Sequence, residues 1–196
     1  IAFAFNTGKT WFEIPNTIRV NIKNMPKENI TPKDVILFIL SKLKTKEALG
    51  HCIEYYGDYI DSLSLSGRIT IASMATEAGA IISFLPYKKD LLKKINNISE
   101  LKADSSAKYL KEITIDIKDI LPQVALPGDP TNALPVTSVK GKKIDSVFLG
   151  SCTNGRYEDI LLFSNILKGK KISHEVVVEV VPATMSVWKE LLLNGI

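Results

Sequence analysis

The chain has 196 residues, 45% of them hydrophobic, and a net charge of +4 from 25 Lys and Arg against 21 Asp and Glu. That is enough apolar sequence for one large or two small packed domains, which excludes a disordered chain. The lysine clusters at 140–143 and 168–171 each surround a glycine and read as solvated turns, so no nucleic-acid stripe is present, and no apolar run reaches the ~18 residues of a membrane span.

The chain opens on the apolar stretch Ile1-Ala-Phe-Ala-Phe5, which is too short and uncharged for a signal peptide. Trp11–Ile14 and Thr17–Ile22 are predicted as short strands joined by a Pro15-Asn16 turn. Thr31 is a predicted N-cap, with Pro32 at the first helical position and Asp34 where a capping box puts its acid. Val35, Ile36, Phe38, Ile39, Leu40 and Leu43 then follow at mostly helical spacing. Cys52–Tyr56 is predicted as a strand, Asp58–Leu65 as a short helix and Ser66-Gly67 as a turn. Ile69–Gly79, rich in alanine, is predicted as a tightly packed helix. Ile81–Leu85, stopped by Pro86, is a predicted buried strand. A helix is expected from Asp90 to Ile95 and a strand from Ile113 to Ile117.

Residues 122–135 carry four prolines, Pro122, Pro127, Pro130 and Pro135, and are the one good linker. Beyond them the pattern predicts a strand at Ile144–Leu149, a loop at 150–155 and a helix at Glu158–Leu167. A strand at Val176–Val181 and a helix at Met185–Leu193 complete it. Strands alternating with helices predict α/β layers around mostly parallel sheets. The expected division is one α/β domain at 1–121, a linker at 122–136 and the start of a second α/β domain at 137–196. The first residue is not Met, and the last helix runs into a glycine with little beyond it, so the sequence reads as part of something longer.

Of the two cysteines, Cys52 sits among apolar residues at a strand start and reads as a core residue. So few cysteines exclude a secreted disulfide scaffold and point to a reducing cytoplasm. Cys152 is different. It follows a buried strand, lies in a small polar loop and precedes a helix. The carboxyl end of a strand in an open α/β sheet is where ligands sit. Helix-terminal N–H groups there favour a thiolate, the reactive and metal-binding form. One cysteine alone does not hold an iron–sulfur cluster, which takes three or four. From the residues alone, Cys152 is either a reactive or metal-binding thiolate or a small buried residue filling a turn.

Gly150-Ser-Cys-Thr-Asn-Gly-Arg-Tyr-Glu-Asp159 resembles the first cluster-ligand signature of the aconitase and isopropylmalate dehydratase family. Gly67-Arg-Ile-Thr-Ile-Ala-Ser-Met-Ala-Thr-Glu-Ala-Gly-Ala80 resembles that family's segment with an active-site glutamate, and Phe84-Leu-Pro-Tyr87 follows it as in citrate aconitases. Pro122–Pro127 and Asn132–Val136 resemble the family's inter-domain linker. Thr7–Pro15 and Val181-Pro-Ala183 are similar to the isopropylmalate dehydratase branch. The likeness covers nearly the whole chain, and 1–15 corresponds to the end of a preceding domain.

The resemblance implies a 4Fe–4S cluster held by three cysteines, of which Cys152 matches the first; the other two lie outside these residues. It implies that Glu77 is the acidic partner of a catalytic histidine, also outside. The activity expected is that of a hydro-lyase or isomerase acting on small hydroxy di- or tricarboxylates in the cytoplasm. The 3-isopropylmalate dehydratase large subunit of leucine biosynthesis is the first reading, with aconitate hydratase or homoaconitase as alternatives. A small subunit or swivelling domain is the expected partner, and these 196 residues alone are expected to be inactive. Ser73 stands where the family usually has Asn. An RNA-binding aconitase-like module is the alternative of another class, but the sequence offers it neither a stacking platform nor a basic groove.

Overall fold

The computed structural model describes residues 1–11, 13–88, 90 and 103–196. Helix α1 (Ala2–Thr7) is short, buries nothing and ends on Gly8 at φ 65°. The first sheet is built around strand β1 (Thr17–Lys23), whose burial alternates, with Ile18, Val20 and Ile22 turned inward. Helix α2 (Pro32–Ala48) crosses over to strand β2 (Cys52–Tyr56). Helices α3 (Asp58–Ser62) and α4 (Leu65–Ser73) lead to strand β3 (Ile82–Phe84), and strand β4 (Lys111–Asp116) takes the other edge of β1. The order is β3-β2-β1-β4 with every pair parallel, as expected for strands joined by crossovers. Ile18 lies opposite Ile53, and Val20 opposite both Tyr55 and Ile113.

The core lies where this face meets α2. Ile18, Val20, Ile53 and Tyr55 pack with Val35, Ile36, Ile39, Leu40 and Leu43, all almost fully buried, and Ile71 and Met74 join them from the α4 side. Helix α2 starts where the sequence predicts. Thr31 Oγ1 accepts from the Asp34 amide (3.3 Å), and Asp34 Oδ2 accepts from the Thr31 amide (2.8 Å). The second Asp34 oxygen accepts from the Gln123 amide at 2.7 Å, although 89 positions separate them.

Gln123 opens an antiparallel hairpin, strands β5 (Gln123–Ala125) and β6 (Ala133–Pro135), followed by a 3-10 turn at Val136–Val139. The second α/β unit then runs through strand β7 (Ser146–Leu149), helices α5 (Ser151–Asn154) and α6 (Tyr157–Leu167), strand β8 (Val177–Val180) and helix α7 (Met185–Leu193). β7 and β8 pair in parallel. The α/β class with mostly parallel sheets is the one the sequence predicts.

Several local expectations fail for identifiable reasons. No strand forms at residues 11, 13 and 14; Phe12 lies outside the described residues. Both edges of β1 are taken by β2 and β4, and the Asn16 carbonyl already accepts from Cys52 (2.9 Å), which leaves no edge for a hairpin. Ser66 and Gly67 are not a turn. They lie in the first turn of α4, whose N-cap Ser64 accepts from the Gly67 amide (3.1 Å). Gly67 is there for space: an added Cβ would lie 3.1 Å from Pro32 Cγ. The helix expected to reach Gly79 stops at Ser73 and gives way to turns over Met74–Gly79, with Gly79 at φ 78°. β3 is an exposed edge strand rather than a buried one, with Phe84 53% exposed. Most of the helix expected at Asp90–Ile95 lies outside the described residues.

Removal of the Asp34 carboxylate takes away the reciprocal half of the capping box, the bond from the Thr31 amide, and the tie to the hairpin, while Thr31 still caps the backbone amide of residue 34. Asp34→Ala should cost about 1–3 kcal/mol in urea unfolding, because two part-buried amides lose their acceptor. A loss under about 1 kcal/mol would mean that the tie carries little.

Candidate functional site

Cys152 lies just past the carboxyl end of β7, and Val181-Pro-Ala183 lies just past the end of β8. The two segments clamp each other. The Val181 amide donates to Leu149 O (2.8 Å), and the Ala183 amide donates to Gly155 O (2.7 Å). The glycines on either side of the cysteine are required by this approach. A Cβ at Gly150 would lie 2.7 Å from Val181 O, and one at Gly155 would lie 2.9 Å from both Ser151 O and Val181 O. Between them Ser151 takes φ 74°, a left-handed conformation uncommon for a residue other than glycine.

The segment predicted as a loop at 150–155 contains a short helix. Ser151–Asn154 form a single helical turn, α5, and the longer helix α6 starts only at Tyr157. Asp159 holds the joint between them. One of its oxygens accepts from the Arg156 amide (3.0 Å), the other from Asn154 Nδ2 (3.0 Å). Arg156 Nη2 in turn donates to Cys152 O at 3.4 Å. The backbone around the thiol is held from several directions, while Cys152 itself is free and exposed.

Thr153 turns the other way, into the first α/β unit, and is buried. Its carbonyl accepts from Thr70 Oγ1 on α4 at 2.8 Å, and its hydroxyl accepts from Lys33 Nζ on α2 at 3.4 Å. Ser64 Oγ, at the start of α4, donates to Glu158 Oε2 of α6 at 2.9 Å. The cysteine loop therefore docks on the first turn of α2 and the second turn of α4, and α6 meets the start of α4.

Glu77 sits half-buried in the turn Met74–Gly79, with Thr76 Oγ1 donating to Glu77 Oε2 (3.1 Å). Ser73 ends α4, with its hydroxyl on Thr70 O (3.3 Å). Lys33 lies between the Glu77 turn and the cysteine loop, its Nζ 3.4 Å from Met74 Sδ as well as from Thr153 Oγ1. Burial pushes the Lys33 ammonium below the ordinary lysine value, while Glu77, Cys152 and Asp159 pull it back up. Lys33, Thr70 and Thr153 escape sequence reading. Lys33 alone left a trace there, since a cation in the first turn of a helix opposes the macrodipole.

Cys52 is buried in β2, and burial pushes its thiol up, as befits a core cysteine. Among the described residues no three His, Cys, Asp or Glu side chains come together to hold a metal ion. The chain offers one exposed thiol donor, which fits a share in a cluster and not the whole of one.

The sequence matches the model of the aconitase family (aconitate hydratase) over residues 2–143 and 137–196. The chain belongs to the aconitase family. It is 40% identical to the 3-isopropylmalate dehydratase large subunit of Picrophilus torridus, covering 98% of this chain and 47% of that protein. It is 36% identical to 3-isopropylmalate dehydratase large subunit 1 of Methanopyrus kandleri, covering all of this chain and 48% of that one. The probable methanogen homoaconitase large subunit of Methanothermobacter thermautotrophicus is 35% identical, again over the whole chain and 47% of its own length. The chain thus spans about half the length of the curated relatives it matches.

Thr70→Val keeps the shape of the side chain and removes the hydrogen bond to Thr153 O. It should destabilise the chain by about 1–3 kcal/mol in denaturant unfolding, because the buried carbonyl loses that partner. It should also speed proteolysis within 150–156; unchanged proteolysis would show that the loop does not depend on α4.

Proposed function

We propose that these residues are part of the large subunit of a 4Fe–4S hydro-lyase that interconverts 3-isopropylmalate and its dehydrated form in leucine biosynthesis in the cytoplasm. The observation that carries this reading is the match along the chain to proteins named 3-isopropylmalate dehydratase large subunit. The exposed Cys152 thiol at a strand's carboxyl end agrees with it. Among the described residues no helix is long and apolar enough to cross a membrane. The name "large subunit" also suggests a partner, a small subunit carrying the swivelling domain. In this reading residues 122–136 join the domain at 1–121 to the start of the next.

Cys152 would hold the cluster as one of three thiolates, the others coming from outside these residues. When bound, the cluster supplies a Lewis-acidic iron that polarises the substrate hydroxyl. Glu77 would accept a hydrogen bond from a catalytic imidazole outside these residues, fixing its tautomer and orientation. The clamp by Val181–Ala183 and the bond from Arg156 would keep the thiol on a fixed backbone, as a ligand site requires. A homoaconitase is the second reading, favoured by the relatives of that name at 35–36% identity.

Two measurements on the complete protein test this. Its iron–sulfur absorbance should be lost on Cys152→Ala and kept on Cys52→Ala; a cluster that survives Cys152→Ala would remove the reading. With its partner subunit it should turn over 3-isopropylmalate faster than homoaconitate or citrate. The reverse preference for homoaconitate would select the second reading.

A further inference from the structure

Lys33 is an unfavourable residue for its place. It is the second residue of α2, where the helix dipole favours anions. It is half-buried, and its two close neighbours, Thr153 Oγ1 and Met74 Sδ at 3.4 Å each, are uncharged and themselves buried. A half-buried ammonium with neutral partners costs stability. A methionine or leucine would fill the same space against Met74 without that cost.

The two contacts belong to two different segments. Met74 opens the turn that carries Glu77, and Thr153 follows Cys152 in its loop. The segments are distant in sequence and lie in different α/β units, yet one ammonium touches both. Its own backbone is held by the capping box of Thr31 and Asp34, so it is a fixed point rather than a surface arm. Glu77, Cys152 and Asp159 are near enough to act on its charge. The burial of a charge at this junction, at a cost to folding, makes sense if the site needs a positive charge there.

Resting on the hydro-lyase reading above, we propose that Lys33 is a positioning residue of that site, its ammonium holding the Cys152 loop, through Thr153, against the turn that carries Glu77, through Met74. The thiol and the carboxylate then keep one relative position and share one compensating charge. Lys33 touches no reacting atom in this role. It acts through the groups on either side of it.

The test uses the complete protein with its partner subunit and compares Lys33→Met, Lys33→Arg and the parent. Lys33→Met should melt at the parent's temperature or above it, because the buried charge is gone. Its kcat on 3-isopropylmalate should nevertheless fall roughly ten- to a hundredfold, the usual effect of losing a group that supports a ligand set. The change should lie in kcat rather than KM, and the EPR spectrum of the reduced cluster should shift. Lys33→Arg, which keeps the charge, should recover most of the rate and the parent spectrum. Parental kcat and EPR spectrum in Lys33→Met would overturn the proposal. So would a lowered melting temperature with activity lost only in proportion to folded protein, which would make Lys33 purely structural. Cys152→Ala separates the two levels: a cluster retained there removes the hydro-lyase reading itself, whereas a cluster lost there with Lys33→Met behaving as the parent removes only the role of Lys33.

Discussion

The first turn of α2 is the constraint on which the rest of this structure depends. Three consecutive residues there reach four different parts of the chain. Pro32 meets α4 where Gly67 leaves room for it. Lys33 reaches the cysteine loop and the Glu77 turn. Asp34 closes the capping box and, with its other oxygen, takes the Gln123 amide of the hairpin. A helix start must satisfy its free N–H groups in any case. Here the same short segment also sets where the second α/β unit sits against the first.

That arrangement explains how a strained loop can present an exposed thiol. Ser151 in a left-handed conformation has a cost that surrounding contacts must offset. They come from three sides: Val181–Ala183 across the sheet end, Asp159 and Arg156 from the following helix, and Thr70 from the first unit. The carbonyls of Ser151, Cys152, Thr153 and Gly155 are thereby committed inside the protein. The Cys152 thiol is left exposed on that held backbone.

Sequence reading works best here where the signal is local. Thr31-Pro32-Lys33-Asp34 announces its helix through capping chemistry that acts within one turn. β2, β4, β7, β8 and α7 are legible within a residue or two from period and propensity. The failures come from tertiary competition. Trp11–Ile14 has strand composition, but the adjacent β1 has no free edge to pair with it, and Gly67 looks like a turn residue but serves close helix packing. Ile82–Phe84 has the composition of a buried strand and lies at an edge. At the site, Cys152 stands out by its glycine-flanked loop and Glu77 by its resemblance to a family segment. Thr70 and Thr153 carry no such mark, because a threonine that bonds a carbonyl 83 positions away looks like any other threonine. Lys33 was visible in principle, as a cation at the wrong end of a helix.

The Cys152 loop and the Glu77 turn lie on opposite sides of Lys33, and in the proposed function the exposed thiol would face a cluster completed by other residues. The most direct measurement is an anaerobic crystal structure of the complete large subunit with its partner. The expected result is Cys152 Sγ bonded to a cluster iron, Glu77 hydrogen-bonded to an imidazole, and Lys33 Nζ still on Thr153. A cluster ligated without Cys152, or a Cys152 loop lifted away from α2, would contradict it.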